Sequence, residues 1–257
     1  MRIRSIVSRK AHVLTAWYDL MHCPGLFKKN HLYTYYFGDM SRLLYFNYLV
    51  EKKKLWAPLL KCICLGIGCN NPLIQKALDI IQSMEVYGWS EFERYVKTNL
   101  IPRIEKLFDK TLHAFRDFVR KAFSVDIDGV KELYVIYGFN PGNGLYGSLL
   151  YCCKDYFITS SFVNEYTSPE AALDLIYHEI LHAIVRLYEL KIPDEIEEEL
   201  IDSLAPEGYL SLLLSLTNKV HVSESRVSKI VEEYFRNKLF EKRVPIHQYL
   251  LQMLDKK

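Results

Sequence analysis

The sequence predicts an α+β protein, mainly helical, with a small β-sheet preceding one long helix that carries its chemistry. Three observations lead there. Apolar residues recur at spacings of three and four through much of the first half. Aromatic and β-branched residues concentrate between positions 132 and 162, interrupted by turn residues. From Ser168 to about Leu190 the chain keeps a helical pattern with an explicit start signal and nothing beyond it that breaks a helix.

In the first half, Leu43, Leu44, Phe46 and residues 48–60 predict one or two helices ending near Gly66. Pro72 to Met84 predicts another, opened by the Asn70-Asn71 turn. From about Ser90 to Phe123, residues Phe92, Val96, Leu100, Ile104, Phe108, Leu112, Phe115 and Val119 keep helical spacing, with Pro102 as a break or kink. The aromatic residues here read as core, or as a wall or plug of a substrate cleft. Asp126-Ile127-Asp128-Gly129 marks the switch to strands. It divides a helical N-terminal region, residues 1–125, from a second domain, residues 126–257. No linker or repeat separates the two, so they are expected to pack as one body.

Glu132 to Phe139 reads as a strand, and Leu145 to Cys153 and Tyr156 to Phe162 as two more. Asn140-Pro141-Gly142-Asn143-Gly144 is dense in turn residues and reads as a hairpin turn. Gly142, Gly144 and Gly147 also match the G-x-G-x-x-G spacing of a dinucleotide-binding loop. Such a loop opens a helix, whereas the residues after Gly144 have strand character, so that function is set aside.

The long helix begins at Ser168-Pro169-Glu170, with Ser168 as N-cap and Pro169 at the first helical position. Leu173, Ile176, Ile180, Ile184 and Leu187 form one apolar stripe. A second runs through Ala171, Leu175, His178, His182 and Val185, so the helix is apolar on two faces and largely buried. Within it, His178-Glu179-Ile180-Leu181-His182 spells H-E-x-x-H. Histidines four residues apart lie one turn apart on one helix face, where both imidazoles reach a single metal ion. Glu179 projects beside that ion and can take a proton from a bound water. A carboxylate between two histidines in an otherwise uncharged buried helix is costly unless a cation compensates it.

A tetrahedral zinc site with one open position needs a third protein ligand. No histidine occurs downstream at the H-x-x-G-x-x-H spacing. Instead the chain continues, after a short turn, into an acidic helix from about Asp194 to Ala205. With that pair of segments the chain resembles the gluzincins, the thermolysin-like clan of zinc metallopeptidases. The resemblance covers about residues 130–215. It implies a zincin-like fold, one Zn²⁺, a third ligand from a glutamate of the second helix, and an aspartate four residues on that supports a metal-bound histidine. Only Glu198 has an aspartate at that spacing, so Glu198 is carried over as ligand and Asp202 as support. Glu197 and Glu199 remain substitutes, and so does Glu207, because Glu207-Gly208 is similar to the E-G pair of aminopeptidase-type members. The clan also implies that an edge strand pairs with an extended peptide substrate, a part Tyr156 to Ser160 could play. Tyr209, His221 and Tyr234 are the downstream candidates for stabilising the oxyanion.

Composition frames these expectations. The 257 residues carry a formal net charge of +2, too little to imply a nucleic-acid partner. Leu55 to Cys69, the most apolar stretch, is interrupted by Pro58 and Lys61, so no membrane span is expected. The basic amino terminus, Met1 to Ser5, lacks a secretory core, which points to the cytoplasm. Six cysteines at 23, 62, 64, 69, 152 and 153 fit no zinc knuckle and read as buried free thiols. The functional expectation is a zinc-dependent peptidase with a peptide or protein substrate. The alternative is a metal-binding regulatory or interaction protein with a degenerate or occluded site.

Overall fold

The computed structural model describes residues 1–22, 40–84, 86, 88–140, 145–221 and 223–256. The protein is α+β and mainly helical. Among the described residues its sheet has four strands, β1 (Arg2–Ile6), β2 (Glu132–Phe139), β3 (Tyr146–Cys152) and β4 (Tyr156–Val163), in the order β1-β2-β4-β3. β1, β2 and β4 are parallel, and β3 runs antiparallel to β4.

Two expectations about the strands are corrected by this order. The hairpin joins β3 to β4 through residues 153–155 and does not join β2 to β3, which are not neighbours. Pro141, Gly142, Asn143 and Gly144 lie outside the described residues, so the glycine-spaced segment cannot be placed whole. Its last part, from Tyr146, is a strand, as its composition requires. The edge strands are β1 and β3, and Tyr156 to Ser160 belong to a central strand paired on both sides. Burial explains the exchange. Every residue of β4 after Tyr156 is buried, whereas four of the seven residues of β3 are only half-buried, as befits an edge. β1 enters the sheet from residues 2–6, where sequence composition read only a basic terminus.

Helices cover both faces. α1 (Arg9–His22) lies on one, where His12 meets the ring of Phe162 and its Nδ1 accepts from the Phe139 N–H at 3.3 Å. α2 (Met40–Lys52), α3 (Trp56–Leu65) and α4 (Pro72–Ser83) gather against α1, with Trp17 and Phe46 edge to face at 5.4 Å. The second face is covered by α6 (Ile101–Phe123) and α7 (Pro169–Leu187). α5 (Trp89–Tyr95) runs into α6 through a π turn, Val96–Leu100, closed by the Ile101 N–H bonding Val96 O. This is the irregularity expected at Pro102. A proline ring crowds the carbonyl four residues back and offers no N–H, and a widened turn relieves both faults.

α7 is clamped to α6 by aromatic packing. Tyr177 is fully buried, its ring 4.4 Å from that of Phe115, and its hydroxyl lies 2.7 Å from Thr111 Oγ1. Behind α7 come α8 (Asp194–Leu204), the short α9 (Tyr209–Leu213), α10 (Arg226–Arg236) and α11 (Ile246–Asp255). No described helix is long and apolar enough to cross a membrane.

The cysteines also depart from expectation. Cys62 and Cys69 form a disulfide, whereas Cys64, Cys152 and Cys153 are thiols and Cys23 lies outside the described residues. The pairing follows from the end of α3. Gly66 takes a left-handed conformation, φ 69°, which turns the chain back and brings the two Cα atoms within 5.1 Å.

Candidate metal centre

α7 starts where the sequence places it, with Ser168 Oγ accepting from the Ala171 N–H at 3.1 Å and Pro169 as first residue. The helix is buried from Ala172 through Val185, so His178, Glu179 and His182 sit in the interior at 5–7% exposure. α8 lies across it. Leu200 and Leu204 are fully buried, and the opposite side of that helix carries Glu198 toward the two imidazoles.

His178, His182 and Glu198 converge, with one ligand atom from each all within 4.8 Å of one another. The two Nε2 atoms are 3.2 Å apart. Glu198 approaches them at 3.8 Å from His178 Nε2 and 3.3 Å from His182 Nε2. Each ring is held from behind. His178 Nδ1 is 2.7 Å from the main-chain oxygen of Ala205, and His182 Nδ1 is 2.6 Å from Glu197 Oε1.

These outer bonds fix what the inner atoms are. A carbonyl oxygen can only accept, so His178 Nδ1 carries the hydrogen, and a carboxylate asks the same of His182. In their neutral forms both rings therefore turn bare Nε2 lone pairs toward each other and toward a carboxylate. Three electron-pair donors at this separation repel unless a cation stands among them. Tetrahedral zinc with nitrogen ligands at 2.0–2.1 Å would place two such donors about 3.3 Å apart. The donor set and its spacing fit that ion.

The titration behaviour reports the same crowding. Burial, followed by the nearby His182, pushes His178 below the ordinary histidine range. Burial also pulls His182 down, but its bonds to Glu197 and Glu198 and the charges of Glu179 and Glu198 outweigh that and raise it to about 9. Glu198 is held below the usual carboxylate range, first by its bond to His182. Asp202 is pushed up to about 6, first by burial and then by Glu198. Without a metal, a proton on His182 fills the place of the cation.

The other acidic residues fall into different roles. Glu197, a substitute ligand by sequence, orients His182. Asp202 stands 3.6 Å from His178 Nδ1, whose N–H donates instead to Ala205 O at 2.7 Å. Glu199 is exposed and outside the cluster. Glu207 also lies outside it, in the turn after the cis Ala205-Pro206 bond, and its N–H donates to buried Asp174 at 2.7 Å. Asp174 accepts as well from Ser211 Oγ at 2.6 Å, so α7 is tied to the same turn that supplies the Ala205 oxygen.

A cleft of about 370 Å³ opens at the cluster. Residues Leu145–Leu149 line one side, and His178, Glu179, His182, Arg186, Glu198 and Asp202 the other. Tyr18 reaches into it from α1. Tyr209, His221 and Tyr234 do not line it. Tyr209 stacks on Phe235, and Tyr234 donates to Val244 O. Sequence reasoning missed Arg186, although its position four residues past His182 on the same helix face was a signal that could have found it. Tyr18 carried no such signal, since only tertiary packing brings it there. Comparisons with protein-family models, characterised proteins and solved structures find no match for this chain.

Proposed function

We propose that this protein is a zinc-dependent peptidase. The observation that carries the reading is the convergence of His178 Nε2, His182 Nε2 and Glu198 in a cleft, with both Nδ1 atoms already committed elsewhere. His178, His182 and Glu198 would hold the ion. When bound there, zinc supplies an acidified water and polarises a substrate carbonyl.

The remaining work falls to the chain's own groups. Glu179, buried beside the histidines and lining the cleft, takes the proton of the attacking water and passes it to the leaving nitrogen. Glu197 and Ala205 keep the two imidazoles in one tautomer and one orientation. The edge of β3 that lines the cleft offers main-chain donors and acceptors to an extended peptide.

The test is elemental analysis of the purified protein beside His178→Ala/His182→Ala, then a peptide-library screen of wild type and Glu179→Gln. The expected result is about one zinc per chain, lost in the double variant. Cleavage should be present in wild type and absent in Glu179→Gln, which keeps its zinc. Stoichiometric zinc with no cleavage of any peptide would favour a metal-binding regulatory module. No zinc uptake at neutral pH would remove the metal centre altogether.

A further inference from the structure

The cleft is closed at one end. β3 lines it only as far as Leu149, where the strand bulges and its pairing with β4 shifts register. The carbonyl of Leu150, which a peptide extending along this edge would need, accepts instead from the indole N–H of Trp56 at 3.4 Å. The Trp56 ring stacks on Tyr18, with centroids 4.4 Å apart and planes 15° from parallel, and Tyr18 itself lines the cleft. An extended chain lying along β3 therefore meets an aromatic wall just past the metal ligands.

Arg186 stands at that end. It is the one permanent cation among the described residues lining the cleft. It lies close enough to the last residues of β3 for its charge to act on Cys152. Its guanidinium makes no hydrogen bond or ion pair with a described residue. Of the carboxylates nearby, Glu197 and Glu198 are bonded to His182, Glu198 also feels the charge of Arg186, and Asp202 stands beside His178. A free amino terminus at the wall would need a spare carboxylate there, whereas an unpaired guanidinium suits a carboxylate.

Helix geometry sets the distance. Arg186 comes one turn after His182, about 6 Å along the axis, and helical side chains lean back toward the N-terminus. An extended peptide advances about 3.4 Å per residue. The guanidinium thus meets a carboxylate one or two residues from a carbonyl placed at the histidines.

We propose that Arg186 binds the terminal carboxylate of a short peptide against the Tyr18–Trp56 wall, so that the protein acts as a carboxypeptidase releasing one or two residues. This rests on the peptidase reading above. The chemistry balances as hydrolysis. The water oxygen bonds the carbonyl carbon, the C–N bond breaks, and the water's proton leaves on the new amine by way of Glu179.

The experiment uses two peptides with blocked amino ends that differ only in a terminal carboxylate or carboxamide, and it has two readouts. In the first, zinc-loaded protein cleaves both and products are identified by mass. In the second, cobalt-loaded Glu179→Gln is titrated with each, and binding is read from the visible spectrum. The acid is expected to be favoured about tenfold or more in both, the worth of one charge-assisted bond. Arg186→Ala should lose the preference through KM rather than kcat, and Arg186→Lys should restore part of it. Equal binding of acid and amide, an unchanged preference in Arg186→Ala, or internal cleavage of long peptides blocked at both ends would overturn the proposal. Absence of any Glu179-dependent cleavage would sink the peptidase reading instead. The binding titration would then still decide whether Arg186 recognises a carboxylate.

Discussion

His182 Nδ1 lies 2.6 Å from Glu197 Oε1, and in the proposed metal centre this bond would make the residue next to the proposed glutamate ligand as important as that ligand itself. Removing the carboxylate frees the imidazole to rotate or to change tautomer. Glu197→Ala is expected to lower zinc affinity by about 10- to 100-fold, with Glu197→Gln between it and wild type. Competition with a fluorescent chelator measures this. Equal affinity in all three proteins would show that the ring is held by packing alone.

Metal removal should cost stability, since three donors then face one another without their cation. Zinc at about 100 times its dissociation constant is expected to stabilise the fold by about 2.7 kcal/mol, read as a rise in Tm. The rise should vanish in His178→Ala/His182→Ala. A Tm indifferent to zinc in wild type would mean that the cluster does not bind it.

Asp174 is expected to act on the metal centre from a distance. It accepts from the Glu207 N–H and from Ser211 Oγ, and so fixes the turn whose Ala205 oxygen holds His178. Asp174→Ala takes the acceptor from the part-buried Glu207 N–H and leaves buried Ser211 Oγ only the longer bond to Leu204 O, at a cost of about 1–3 kcal/mol. Urea unfolding should show that loss, and chelator competition should show weaker zinc binding with it. Zinc affinity unchanged in a destabilised variant would separate the turn from the site.

Acid sensitivity should trace in part to His12. The ring is completely buried on α1, and burial pushes its pKa down to about 3. The unfolded chain takes up this proton near pH 6.5, whereas the folded chain does not until about 3. Its contribution is therefore complete above about pH 6.5 and drains away as pH falls toward 3, by on the order of 5 kcal/mol in all. Metal-free His12→Gln should lose less stability than metal-free wild type between about pH 7 and 4. Parallel acid limbs for the two proteins would rule the ring out.

The parts of this molecule that were legible in its sequence are those written in local chemistry. Ser168 and Pro169 begin α7 because a hydroxyl N-cap and a fixed φ act within one turn. His178 and His182 share a face because helix geometry requires it. Glu198 was carried over as third ligand from the resemblance, by the aspartate four residues on, and the structure brings it to 3.8 and 3.3 Å from the two imidazoles. The parts that were not legible depend on pairing across the chain. Tyr156 to Ser160 have the composition of any strand, and nothing in them tells a central position from an edge. Ala205 supplies a main-chain oxygen, a group that every residue has. The bond between Cys62 and Cys69 depends on the turn at Gly66, and spacing alone leaves such connectivity open. Arg2 to Ile6 alternates polar and apolar only as far as Arg4, which is too little to claim a strand.

That short strand has a consequence for how the protein is made. β1 pairs in register with β2, Arg2 opposite Glu132 and Ile6 opposite Ile136. During synthesis residues 2–6 must therefore wait for all the residues up to β2 before they find their place. Contacts so far apart in sequence close slowly and late. Disrupting or displacing this strand should thus leave the helices able to form. It would expose the Glu132–Phe139 edge to pairing with other chains, so that the failure appears as aggregation rather than as simple unfolding.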